Sequence, residues 1–498
     1  MTGRWRYEIP RVCPPLPPGP RKLPLIGNLL DMPTSFEWER YAEWAKGYNT
    51  DIIHLNVCGQ SVIVLDSYET CIDLLEKRSK LYSSRPGLTM AIDLVGFDFN
   101  IGFIPYGARA RRRLIHGVLH TTAAQRFNPF VLRATHTLMR ALLAAGEDDL
   151  EPELRHWAAR IILGITYGLD IATKDDPHVL NAEAAQGSLS ATVNQGAYLV
   201  NSIPSLKHVP EWMPGAAFQR EAREWKAQAR YMVDTPFEEV KSKAGLTPFA
   251  PSIASLALDK GVDEGVIKDA CATMYMAGTD TTVCAILNFT LAMLDRPELL
   301  KRAQSELDAV LDAGQLPDFA DQERLPFVNA IVLESLRYVP VAPASISHFY
   351  SGKTPDIYRG YVIPTSSVVI PNVWSMVHNE ASDRDLAVYP DSYAFKPDRF
   401  LTADGKINKD VRDPGDLVFG FGRRICPGRR LAYASIWIAV ACMIRTFDIV
   451  KAKRPDGSTI EPSKEYVSGL VMLPKPFKCR LVPRSAEAEA MIRATEKG

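Results

Sequence analysis

An apolar leader is the first thing this chain lacks. Met1 to Cys13 carry Arg4, Arg6 and Arg11 and hold neither the short apolar core of a signal peptide nor the roughly twenty apolar residues of a membrane span. Paired cysteines are lacking as well: eight stand at positions 13, 58, 71, 271, 284, 426, 442 and 479, with no Cys-x-x-Cys and no Cys-x-x-Cys-His. That spacing excludes a zinc module, a covalent haem attachment site and a disulfide framework, and it points to a reducing compartment. Net charge is zero, with 58 basic residues against 58 acidic ones, which argues against nucleic acid as a main partner. There is no internal repeat and, past Pro20, no low-complexity tract. The one glycosylation sequon, Asn288-Phe289-Thr290, falls in an apolar helical stretch and reads as chance.

What is present is a large core. Hydrophobic residues make up 46% and charged residues 23% of the 498, the balance of a globular protein. Pro14-Pro15-Leu16-Pro17-Pro18-Gly19-Pro20 reads as a stiff connector. An amphipathic segment, Phe36 to Ala45, leads into a hairpin in which Ile52–Val57 and Ser61–Leu65 flank Cys58-Gly59-Gln60. Helical periodicity then dominates, over 127–144, 153–169, 216–241, 264–294 and 297–313, with a strand-rich patch at 346–371. The fold class expected is mainly α with small β-sheets.

Chemistry concentrates in Phe419-Gly420-Phe421-Gly422-Arg423-Arg424-Ile425-Cys426-Pro427-Gly428, followed by an apolar helix from about Leu431 to Met443. Glycines and a proline build a tight turn that presents the Cys426 sulfur at a helix start, where backbone N–H groups favour a thiolate. An isolated cysteine is more often a buried structural residue. A dinucleotide-binding loop is excluded, because Gly420-Phe421-Gly422-Arg423-Arg424-Ile425 lacks the third glycine and the strand before it. A second unusual stretch is Ala277-Gly278-Thr279-Asp280-Thr281-Thr282, where glycine and threonines in mid-helix lower helix propensity. Threonine hydroxyls that bond back to carbonyls open the helix ladder there. A third is Glu334-Ser335-Leu336-Arg337, a carboxylate and a guanidinium on one helical face, followed by Phe395-Lys396-Pro397-Asp398-Arg399-Phe400.

Together the pattern Phe-x-x-Gly-x-Arg-x-Cys-x-Gly, the Ala-Gly-x-Asp-Thr-Thr turn and the Glu-x-x-Arg helix resemble the cytochrome P450 family from about Pro17 to Pro483. The resemblance implies haem b with Cys426 as the thiolate ligand, held in a loop shaped by Phe419, Gly422 and Gly428. It implies that Ala277 and Gly278 leave room for dioxygen, and that Asp280 and Thr281 deliver the protons needed before the O–O bond breaks. Arg424 matches a haem-propionate contact. The other contact comes from the helix after Tyr106-Gly107, where relatives carry Trp-x-x-x-Arg; the tryptophan is absent and Arg112 is the match. The rest of the Arg109–Arg113 cluster is then a solvated basic face for a redox partner. Glu334, Arg337 and Arg399 would form a buried charge network that locks the cysteine loop, with Asp398 in place of the family's usual glutamate. His348 and His378 read as structural histidines, although relatives place a propionate contact at the position of His348.

The resemblance further implies a haem-thiolate monooxygenase that inserts one oxygen atom from O2 into a lipophilic small molecule: a terpenoid, a steroid, or an aromatic xenobiotic. The matching pocket segments are 89–103, 198–205, 274–280, 341–346 and 467–472. Electrons would come from NADPH through a separate cytochrome P450 reductase, with cytochrome b5 as a further donor. Residues 1–20 would be a polar segment and hinge following a trimmed membrane anchor, or the start of a soluble variant, and 21–498 one catalytic domain. Pro204–Pro214 would rest on the cytoplasmic face of the endoplasmic reticulum membrane. The pattern looks eukaryotic and microsomal, most similar to fungal members of secondary or xenobiotic metabolism. The rivals are a peroxide-using or isomerising haem-thiolate enzyme, and a non-catalytic haem-binding sensor or carrier.

Overall fold

A computed structural model of the chain describes residues 14–107, 109–171, 175–193, 198–242, 252–379 and 389–497. Met1 to Cys13 and Ala108 lie outside the described residues. The longer helices and the strands, in chain order, are α1 (Glu37–Gly47), β1 (Ile52–Val57), β2 (Gln60–Leu65), α2 (Arg109–Leu119), α3 (Asn128–Ala144), α4 (Leu150–Tyr167), α5 (Pro177–Val193), α6 (Ala217–Ser242), α7 (Glu264–Asp295), α8 (Pro297–Val310) and α9 (Pro326–Tyr338). After these come β3 (His348–Phe349), β4 (Asp356–Tyr358), β5 (Tyr361–Ile363), β6 (Val368–Pro371), α10 (Val373–His378), α11 (Arg429–Thr446), β7 (Phe447–Lys451), β8 (Tyr466–Val467), β9 (Leu473–Pro474), β10 (Cys479–Pro483) and α12 (Ala486–Ala494).

Everything is arranged around α7, which packs on α2, α4, α5, α6, α9 and α11. Its N-cap is Asp263, whose carboxylate accepts the Val266 N–H. Residues from Ile267 to Leu294 are almost all buried, because the helix is apolar on every side. Among the described residues it is the one helix long and apolar enough to cross a membrane, and here it forms the middle of the core. The expected irregular turn is absent: α7 runs unbroken through Ala277–Thr282. Thr281 Oγ donates to Ala277 O at 2.9 Å without opening the ladder. Gly278 lets α4 approach, since a Cβ there would lie 2.8 Å from Ile162 Cγ1.

The main sheet has the order β1-β2-β6-β3. The expected hairpin pairs Ile52 with Leu65, β6 joins β2 in parallel through Val62 and Val368, and β3 closes antiparallel through His348 and Val369. Three two-stranded sheets, β4-β5, β7-β10 and β8-β9, lie elsewhere on the helical body. The architecture is therefore mainly α with small sheets. The proline-rich stretch differs from a free-standing connector. Pro18 O accepts the His54 N–H of β1 and Pro15 O the Val362 N–H of β5, both at 2.8 Å, so the stretch is seated against two of the sheets.

Candidate active site

Between α7, α4 and the segment before α11 lies a cavity of about 320 Å3. Cys426, Phe419 and Gly428 line one part of it, Ala277, Gly278 and Thr281 another. The cysteine segment is held by its own backbone. The Cys426 N–H donates to Phe419 O at 2.8 Å, and Gly422 takes a φ of +56° where a Cβ would lie 2.1 Å from Leu75 O. Gly422 is not a wall residue; its place is the turn, packed on Leu75 backbone. Gly428 has an ordinary φ of −84°, and a Cβ there would lie 3.9 Å from Cys426 Sγ, an ordinary contact. α11 begins at Arg429, and the Cys426 sulfur faces the cavity at this helix start. Burial pushes the thiol pKa up, while the Gly428 N–H, the Arg429 charge and the Arg429 N–H pull it down. A metal ion with positive charge is what tips such a group to thiolate.

No Asp or Glu among the described residues lines the cavity, yet three arginines do: Arg85, Arg112 and Arg424. Arg424 donates to Ser83 O (2.6 Å), Ile101 O (2.8 Å) and Ile104 O (2.7 Å). Arg85 donates to Gly102 O (2.7 Å), Ile346 O (2.8 Å) and Ser347 O (2.9 Å). Arg112 donates to Arg423 O. Burial lowers the pKa of all three, that of Arg424 to about 10, and the neighbouring guanidinium of Arg112 adds to the effect at Arg424 and Arg85. Three cations with carbonyl partners and no carboxylate fit the two propionates of a haem whose iron the Cys426 sulfur would take. His348 also lines the cavity; its Nδ1–H donates to Tyr82 O at 2.8 Å, and burial beside Arg85 keeps the ring neutral by pushing its pKa well down. His378 lies away from it, with Nδ1 on Trp374 O at 2.9 Å and the ring stacked on Tyr393.

Asp280 does not reach the cavity. Successive residues on a helix diverge by about 100°, so Thr281 lines the cavity while Asp280 faces α4 and pairs with Arg155 at 2.5 Å. Arg155 also holds Glu151 at 2.9 Å, with Glu183 at 3.7 Å. Burial raises the Asp280 pKa against the opposing pull of Arg155. The network of Glu334, Arg337 and Arg399 is closed: Arg337 donates twice to Glu334 at 2.7 and 2.8 Å, and Arg399 Nε donates to both carboxylate oxygens at 3.2 and 3.1 Å. It binds α9 to residues 390–400. Its link to the cysteine segment is through packing, in a cluster that includes Leu333, Phe400, Leu417 and Phe421.

Of the expected pocket segments, 100–103, 274–278, 341–346 and 470–471 contribute walls, whereas 198–205 does not; α5 takes that place with Gln186 and Leu189. Arg85 and Gln186 were not singled out from sequence. Arg85 had one signal, an unpartnered arginine before Pro86 in the run Ser83-Ser84-Arg85-Pro86.

The sequence model for the cytochrome P450 family matches residues 17–481. This chain belongs to the cytochrome P450 family. Its P450 relatives include cytochrome P450 monooxygenase 98 of Postia placenta, 44% identical over 97% of this chain and 93% of the relative. Cytochrome P450 monooxygenase ple1 of Rhodocybe pseudopiperita is 40% identical over 96% and 91%, and the tryptamine 4-monooxygenase of Psilocybe cyanescens 37% over 95% and 94%. The P450 is accordingly an oxygen-incorporating oxidoreductase that uses haem b, O2 and electrons from NAD(P)H through a redox partner.

Proposed function

We propose that this P450 hydroxylates a lipophilic small molecule, with Cys426 as the iron ligand, Arg85, Arg112 and Arg424 on the propionates, and a separate NADPH-cytochrome P450 reductase as electron source. The observation that carries it is one cavity shared by a cysteine, three arginines without carboxylates, and a wall of Ile115, Ile161, Ile162, Leu189 and Val341. When bound, haem supplies the activation of dioxygen, which a thiolate ligand assists by pushing electron density onto iron. Ala277 and Gly278 leave space beside Thr281, whose hydroxyl is anchored on Ala277 O and holds a proton at the cavity wall. Asp280 is the proton source behind it, fed from a surface cavity of about 510 Å3 lined by Glu151, Arg155 and Glu183. Aromatic, terpenoid and steroid frames all suit the apolar wall, and the tryptamine-acting relative favours an aromatic one.

The reductase docks on a basic face. Arg112 joins α2 to the cysteine segment, and the exposed Arg109, Arg113, Arg423 and Arg430 surround that joint. Cytochrome b5 shares this face. Leu25 (96% exposed) and Trp212 (81%) lead two apolar edges that suit contact with the endoplasmic reticulum membrane, with residues 14–20 seated beside β1. Turnover with purified reductase and NADPH tests the function. Hydroxylated product in step with NADPH oxidation is expected, and Arg113→Glu raises the KM for reductase while leaving substrate affinity unchanged. Product formed with peroxide and never with reductase overturns it.

A further inference from the structure

A second cavity, of about 220 Å3, adjoins the first, and Arg85, Phe103, Ser345, Ile346 and Leu470 line both. Its other walls include the start of α1 (Glu37, Tyr41), the end of α5 (Ser190, Val193) and the loop at Ser468 and Gly469. Among the described residues Glu37 is the one acidic side chain on either cavity. It has no ion-pair partner there, and its Oε2 is buried without a hydrogen bond. A carboxylate in the first turn of a helix is ordinarily satisfied by the helix dipole and backbone N–H groups, which depress its pKa. Here the balance is reversed: burial raises the Glu37 pKa, and its own backbone N–H offsets only part of that. Arg85 does not serve it, being committed to three carbonyls.

Glu37 is also held in place. The Phe36 N–H donates to Ser468 Oγ at 2.7 Å, tying the start of α1 to the loop whose Leu470 and Val471 wall the main cavity. Phe36, with φ +48° and next to Glu37, and Ser345, with φ +53° and in the cavity wall, both occupy the left-handed region that non-glycine residues rarely adopt. Strain of this kind persists where the surroundings fix a ligand clamp.

We propose that Glu37 selects the substrate: it binds the ammonium group of a lipophilic amine whose apolar frame extends into the Cys426 cavity. A half-buried carboxylate with one oxygen enclosed, unbonded and without a counter-charge is costly, and an ammonium removes that cost where a neutral molecule of the same shape does not. The selection rests on the monooxygenase reading, since it assigns the substrate of that same cavity.

The test is equilibrium dialysis of the haem-loaded protein at neutral pH with tryptamine and with 3-propylindole, which replaces the ammonium by a methyl group. Wild type is expected to hold tryptamine about tenfold more tightly, the scale of one charge-assisted hydrogen bond. Glu37→Gln abolishes that preference by weakening tryptamine and leaving 3-propylindole unchanged, whereas Glu37→Asp retains a preference. The proposal is overturned if wild type shows no preference, including no binding of either compound, or if the preference survives in Glu37→Gln. The carbon-monoxide spectrum of each reduced sample separates the two readings. An abnormal wild-type spectrum overturns the monooxygenase reading, and with it this assignment. A normal spectrum with a preference indifferent to Glu37 overturns the amine assignment alone.

Discussion

Two groups of buried or half-buried arginines among the described residues differ in one respect. Arg337 and Arg399 share Glu334, which like Arg337 is fully buried, and their remaining N–H groups reach Val377 O, Ala394 O, Pro390 O and Asp391 O. Arg85, Arg112 and Arg424 have carbonyls and no carboxylate. Carbonyl dipoles satisfy the hydrogens of a guanidinium without cancelling its charge. The first group is therefore complete in the protein alone, and the second is complete with an anion in the cavity. Like residues thus do different work: one group fastens the fold, and the other, in the function proposed above, receives the cofactor.

The largest effect expected from breaking this contrast is at Glu334. Glu334→Gln strands two buried cations and costs about 3–5 kcal/mol, read as a loss of folded protein or a steep drop in Tm, with or without haem. Next comes the anion itself. Apoprotein reconstituted with haem is expected to be about 2 kcal/mol more stable than with haem dimethyl ester, which keeps the iron and lacks the propionate charge. Arg112→Met follows. Its side chain is half-buried with a single carbonyl partner, so haem transfer to an acceptor apoprotein speeds up by a few-fold, about 1 kcal/mol, while apoprotein Tm is unchanged. The smallest effect is at Asp398. Its pair with Arg302, at 2.7 Å, is about half exposed on both sides, and Asp398→Ala shifts stability by less than about 1 kcal/mol.

The same contrast separates what the sequence reveals from what it hides. Local patterns were legible: α7 as a long apolar helix, the Ile52–Leu65 hairpin, and the glycine-rich turn before Cys426. α5 was not, because Ala, Ser and Gly along Pro177–Val193 leave no apolar stripe to read. The β7-β10 pairing joins residues 28 to 36 positions apart, from Lys451 and Cys479 to Phe447 and Pro483, and packing rather than local pattern sets it. At the site, adjacency in sequence hides a division: Asp280 and Thr281 are consecutive, yet the helix turns one toward Arg155 and the other toward the cavity. Arg85 was hidden for the opposite reason, since a lone arginine declares a function only when Arg112 and Arg424 are seen beside it.

The absorption spectrum of the dithionite-reduced, carbon-monoxide-bound protein, wild type against Cys426→Ala, tests the central claim most directly. A long-wavelength Soret band in the wild type that disappears in the variant is the result expected of a Cys426 thiolate on the iron. A band at the ordinary histidine-haem position in the wild type, or one that persists unchanged in Cys426→Ala, would contradict it.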